Sequence, residues 1–196
     1  GQNSGQIDIQ VSRPFDHQVG ITRPVQVPGC RVVQGRAPKD RIQAMNQTIV
    51  AVGQRVPAWA QQAWDDYAGR FPSDWRIDLK TIKTEPRASR TVEQIWALEA
   101  TRIEHAIPKG AQKLSLDERG ERWTTQDLSQ QLQAWQLEGQ HVAWIIGGPD
   151  GLDPSLRAPR VRSVRLSDMT LPHQMVRVLL IEQIYRAWSL LNHHPY

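Results

Sequence analysis

Apolar positions between Thr48 and Leu191 recur in two alternating patterns: short runs of strand length and longer stretches with a period near 3.6. Residues 48–52 form a β-branched run closed by Gly53, which predicts a buried strand. Pro57 suits the first turn of a helix that carries Trp59, Ala63 and Tyr67 on one side until Phe71-Pro72 stops it. Trp75, Ile77, Leu79 and Thr81 then alternate with Arg76, Asp78 and Lys80, so this strand is half exposed and near an edge. Thr91-Val92-Glu93-Gln94 has capping-box spacing and opens a helix with Val92, Ile95, Trp96 and Ile103 on its apolar side, ended by Pro108.

A strand is expected over residues 113–116. Thr124 with Asp127 starts a helix through Leu128, Leu132 and Trp135 to Gly139. Residues 142–146 and 161–166 are two further strands, and each runs into a loop of unusual composition. The last helix, over residues 172–191, carries Val176, Leu180, Ile184, Trp188 and Leu191 at helical spacing, widened by Val178, Ile181 and Tyr185. Arg177, Glu182, Arg186 and Ser189 fall on its other side, with Glu182 and Arg186 a favourable i,i+4 pair. So wide a stripe asks for two partners, the helix's own sheet and either a second layer of the domain or, more economically, a second subunit. Strands alternating with helices predict a mainly parallel α/β sheet. Ligands of such sheets bind beyond the carboxyl ends of the strands.

Composition divides the chain near Met45. Residues 1–44 hold no Trp and no Glu, while all eight Trp lie beyond Met45. With no sustained period and no apolar signal core, this segment is expected to be a disordered extension or an artefact ahead of a natural start at Met45. The formal charge of +4 is uneven: six Lys and Arg against three Asp in the first 44 residues, 18 against 17 in the remainder. Global basicity is therefore weak evidence for nucleic acid, and local clusters matter more. A single cysteine, Cys30, excludes a disulfide framework within the chain. No apolar run approaches membrane-spanning length, so a soluble, cytoplasmic protein without a membrane partner is expected.

Phosphate-loop, dinucleotide, zinc-protease and serine-elbow signatures are all missing. Gly147-Gly148 after Ile146 fits either close backbone approach to a ligand or a plain turn out of a strand. His173 suits a polar helix start better than a metal ligand, since no second ligand sits at a useful spacing, and no metal is expected. Arg157, Arg160, Arg162 and Arg165 have no acidic residue among them, as in a solvated surface or a phosphate-contacting patch.

The strings Ile145-Ile146-Gly147-Gly148-Pro149-Asp150-Gly151-Leu152 and Leu166-Ser167-Asp168-Met169-Thr170-Leu171-Pro172-His173 closely resemble the RlmH family. So do Arg177-Val178, Tyr185-Arg186-Ala187 and the tail Asn192-His193-His194-Pro195-Tyr196. These are bacterial 23S rRNA pseudouridine-N3 methyltransferases of the SPOUT superfamily. Val50-Ala51-Val52-Gly53, Arg70-Phe71-Pro72, Leu116-Asp117, Gly120 and Trp123 extend the likeness over residues 45–196. The resemblance implies a SPOUT-type sheet with helices on both faces and a deep C-terminal trefoil knot, which general topology rules would argue against. It also implies a homodimer and methylation of N3 of a pseudouridine in 23S rRNA of assembled ribosomes.

By motif position, S-adenosylmethionine would contact Leu116, Gly147 and the loop Leu166, Ser167, Asp168, Met169, Thr170 and Leu171. His194 and Tyr196 would meet the substrate, and the four arginines would meet rRNA phosphates. Family members usually continue past the Tyr with a few basic residues, a His among them, where this chain stops at Tyr196. Two rival classes stand beside this reading. One is a SPOUT enzyme acting on tRNA, which the small size and the His-Pro-Tyr tail disfavour. The other is a catalytically silent ribosome-binding module.

Overall fold

A computed structural model describes residues 44–87 and 90–196. The expectation for the N-terminal segment, and Cys30 with it, lies outside the described residues, apart from Ala44. From Met45 the chain forms β1 (Met45–Val52), α1 (Ala58–Ala68), β2 (Trp75–Ile82), α2 (Val92–Ala106) and β3 (Gln112–Arg122). It continues through α3 (Thr125–Glu138), β4 (Val142–Ile146), one 3-10 turn (Pro154–Leu156), β5 (Arg162–Arg165) and α4 (His173–Leu191). The strands make one sheet in the order β2-β1-β4-β3-β5, and every neighbouring pair is parallel.

Burial explains the sequence patterns of the strands. In β1, Ile49 and Ala51 face one side of the sheet and Val50 and Val52 the other, and none of the four touches solvent. A parallel sheet covered on both faces reads as such a continuous apolar run. β2 lies at an edge, as its alternation predicts. α1, α3 and α4 cover one face and α2 the other, each side with its own apolar cluster. Both capping boxes form: the Thr91 side chain accepts from the Gln94 N–H, and the Thr124 side chain from the Asp127 N–H. Gly139 ends α3 at φ 63°, in the left-handed region.

Several expectations are corrected. In α1 the buried residues are Ala60 and Trp64, while Trp59 is 50% exposed. The helix is therefore turned about one residue from the phase that Trp59, Ala63 and Tyr67 suggested. The reason is the aromatic cluster in which Trp64 joins Trp75 and Trp188. The width of the α4 stripe is taken up inside the chain, because α4 packs between α1 and α3. Phe71 and Tyr67 meet Tyr185 on one side, and the Ser129 hydroxyl donates to the Ala187 carbonyl on the other. Arg177 and Ser189, placed on the polar side by periodicity, are both buried. β3 runs six residues past Leu116. It pairs with β5 up to Leu116, slips register, and resumes at Glu121.

Candidate active-site cleft

The carboxyl ends of β4, β3 and β5 lie side by side, and their loops enclose a cleft of about 810 Å³. That volume is within the usual range for a small-molecule site. Its floor is Leu116 and Ile146. One rim is the loop 147–152, and the other is formed by Leu166, Ser167, Met169, Thr170 and Leu171. His173 and Val176 close it from the first turn of α4. Seven of the eight residues expected at the methyl donor thus come together from three separate parts of the chain. The eighth, Asp168, does not line the cleft; its carboxylate pairs with Arg122 at 3.0 Å and Arg165 at 3.2 Å.

Gly147 makes the tight turn out of β4 that one of its two readings expected. It lines the cleft, yet a Cβ there would lie 2.9 Å from the Gly151 backbone and 2.8 Å from the Leu152 side chain. The loop folds back on itself through a hydrogen bond from the Gly151 N–H to the Gly148 carbonyl. Its outer side is tied to α2, where Trp96 Nε1 donates to the Asp150 carbonyl at 2.9 Å, and Arg87 pairs with the Asp150 carboxylate. Trp96, which periodicity assigned to the core side of α2, is therefore a wall of the cleft. The register slip in β3 supplies Asp117, Glu118 and Arg119 as further lining. Gly120 permits the slip, because a Cβ there would stand 2.6 Å from the Val164 backbone.

His173 is the first residue of α4, and its Nε2 lies 2.5 Å from the Val52 carbonyl at the end of β1. Burial holds its imidazole below the usual range; the Val52 carbonyl opposes that and Arg177 adds to it. The ring is therefore neutral near neutral pH and donates its Nε2–H to Val52. Arg177, one turn on, donates to the carbonyls of Val52 and Gly53 at 2.9 and 2.5 Å. Together they fasten the start of α4 to the end of β1, beside the cleft. Neither role was legible, because a His and an Arg opening a helix read as solvent-facing residues.

The four arginines divide. Arg157 and Arg165 line the cleft, Arg157 with its guanidinium 5.3 Å from the centre of the Trp96 ring. Arg162 lies over Trp123 and pairs with Glu121 at 2.9 Å, and Arg165 pairs with Asp168. The run holds no acid of its own, but β3 and the loop after β5 supply them.

The tail lies elsewhere. His194 packs on Trp188, about 18 Å further along α4 than Val176 at the ordinary helical rise. Tyr196 donates to Glu182 at 2.6 Å, and its ring sits 4.0 Å under the Arg186 guanidinium. Burial raises the Tyr196 pKa, and hydrogen bonds with Glu182 and Tyr67 raise it further. The phenol therefore stays protonated and acts as a donor. Neither residue lines the cleft of its own chain. Among the described residues, no helix is long and apolar enough to cross a membrane.

Comparison with known proteins adds to this geometry. The family model "Predicted SPOUT methyltransferase" matches residues 45–196. "Ribosomal RNA large subunit methyltransferase H" of Delftia acidovorans is 62% identical over 152 residues, which is 78% of this chain and 98% of that protein. The proteins of the same name from Albidiferax ferrireducens and Variovorax paradoxus are 60% and 57% identical, with the same coverage. With the parallel sheet and the cleft at its carboxyl edge, these likenesses make the chain a member of the SPOUT methyltransferase family and, within it, of the RlmH family.

Proposed function

We propose that the chain transfers a methyl group from S-adenosylmethionine to N3 of a pseudouridine in 23S rRNA, acting in the cytoplasm on assembled ribosomes. The cleft carries this reading. It gathers the expected donor-contacting positions, except Asp168, at the strand ends of a chain about 60% identical to enzymes named for large-subunit rRNA methylation. Its apolar walls, Leu116, Ile146, Leu166, Leu171 and Val176, suit an adenosyl group, and two loops offer backbone N–H and C=O groups to the base edge. In this reading the loops 147–152 and 166–171 belong to a trefoil knot that α4 completes.

Bound S-adenosylmethionine supplies an electrophilic methyl on a sulfonium. Nitrogen N3 forms the new bond to that carbon, the sulfur–carbon bond breaks to leave a thioether, and the N3 proton passes to a base or water. The chain's own part is positioning and exclusion of water. Arg157 and Arg165 at the rim face the rRNA backbone with Arg160 and Arg162, so affinity for ribosomes falls as salt rises.

His194 and Tyr196, as substrate-contacting groups, reach a cleft only if a second copy brings its tail to it. The distance of the tail from its own cleft supports a homodimer with shared sites. The test is calorimetry with S-adenosylmethionine, then mass spectrometry of 23S rRNA after incubating the protein with ribosomes that lack the modification. N3-methylpseudouridine in 23S rRNA is expected. Absence of donor binding, or a methyl group found in tRNA instead, overturns the reading.

A further inference from the structure

Glu99 is the only acidic side chain among the described residues that is buried, at 4% exposure. It sits on the sheet-facing side of α2 with Ile95, Ala100 and Ile103. One carboxylate oxygen accepts from the Glu85 N–H at 3.0 Å. The other faces the cleft loop: a Cβ on Gly148 would lie 3.1 Å from Glu99 Oε2. Gly148 lines the cleft, so the carboxylate lies behind the wall at a residue that has no side chain to screen it.

No cation among the described residues lies within ion-pairing distance of Glu99. The nearby charges pair with one another instead: Arg102 with Glu85 at 2.9 Å, and Arg87 with Asp150 at 2.6 Å. Burial raises the Glu99 pKa; the Glu85 N–H and Arg102 lower it, and Asp150 and Glu85 push it up. A buried carboxylate with no counter-charge is costly unless something cationic comes to it. The other acids lining the cleft differ in being open to solvent or paired with a cation. Asp117 accepts from the Arg119 N–H, Glu118 lies beside Arg119, and Asp150 is held by Arg87.

We propose that Glu99 is the counter-charge by which the cleft prefers a cationic methyl donor to its neutral thioether product. The proposal rests on the reading of the cleft as the S-adenosylmethionine site. Glu99 touches no reacting atom; it is a positioning residue acting across Gly148. Methyl transfer turns a sulfonium into a thioether, so the same carboxylate that attracts the donor loses its hold on the product. Selection of donor and release of product then follow from one buried charge.

The test compares affinities in the full-length chain. S-adenosylmethionine and S-adenosylhomocysteine are titrated by calorimetry into the parent and into Glu99→Gln, whose amide oxygen can still accept from the Glu85 N–H. For a unit charge several ångströms away behind partly screening protein, the preference for the donor is expected to fall about 10-fold in the variant. Affinity for the thioether should stay unchanged. A thermal melt at or above the parent's shows that the variant is folded. Equal loss for both ligands, or an unchanged ratio, overturns the role of Glu99 and leaves the cleft assignment standing.

The unaltered protein gives a second measurement that does not depend on the variant. Sinefungin, which carries an amine where the donor carries its sulfonium, should bind tighter than the thioether. If the thioether binds as tightly as both cationic ligands, the counter-charge is refuted. If no ligand of the three binds, the cleft assignment fails as well.

Discussion

Gly147 borders the cleft and also packs tightly in the turn out of β4, so a side chain there acts on both. The expectation from the sequence is that Gly147→Val removes donor binding with little damage to folding. The structure changes the second part, because the new Cβ would press on the Gly151 backbone before it entered the cleft. Gly147→Val should therefore lower stability by about 2 kcal/mol, a typical cost of overpacking, as well as abolish binding. A thermal melt beside calorimetry checks both, and a parental melting temperature would show that the loop yields easily. Arg177 calls for a different substitution. Its buried guanidinium donates to the Val52 and Gly53 carbonyls at the end of β1. Arg177→Met leaves the Gly53 carbonyl without this donor and Val52 with His173 alone, and a loss of about 1–3 kcal/mol is expected. Arg177→Lys should recover part of it; equal losses for Met and Lys in urea titrations would show that packing, and not the hydrogen bonds, is what Arg177 supplies.

Among the elements, the junction of α4 with β1 makes stability depend on pH. His173 at that junction, and His141, which precedes β4 and hydrogen-bonds the Thr48 hydroxyl, are both held below the ordinary imidazole range, chiefly by burial. Unfolded, each takes up a proton near pH 6.5. Their contribution is thus complete above that value and is lost as pH falls below it, since the unfolded chain then binds more protons. Glu99, with its raised pKa, works in the opposite direction and favours the fold as pH falls. The comparison to make is therefore parent against His173→Gln, in which Glu99 cancels. Urea midpoints at pH 7.5 and 5.5 should differ more in the parent, and an equal difference in the variant would remove His173 from the account. This junction was not legible in the sequence. β1, β4, the two capping boxes and the edge position of β2 were, because each depends on residues adjacent in the chain. The extension of β3 beyond Leu116 was not, since its polar second half pairs only by virtue of Gly120 approaching β5. The phase of α1 and the burial of Glu99 and Arg177 likewise depend on neighbours remote in sequence.

The molecule as a whole keeps its two expected functional regions apart. The loops proposed for the methyl donor gather at the N-terminal end of α4, and the tail folds back on Trp188 and Glu182. In that proposal one chain's cleft holds the donor without bringing Tyr196 to it. If the site is shared, each dimer has two equivalent sites, each made of one chain's cleft and the other's tail. Two variants then test it: Tyr196→Ala, which damages only the tail, and Leu166→Asp, which damages only the cleft. Each alone should be inactive on ribosomes. When the two are co-expressed and dimers form at random, half are mixed, and each mixed dimer has one intact cleft beside one intact tail. About a quarter of the parental activity should return, as expected for sites made at a two-fold interface. Sedimentation of each variant establishes that it remains a dimer, so that loss of activity is not loss of assembly. No recovery on mixing, with dimers intact, would mean that each chain completes its own site and that the tail must leave Glu182 to reach it.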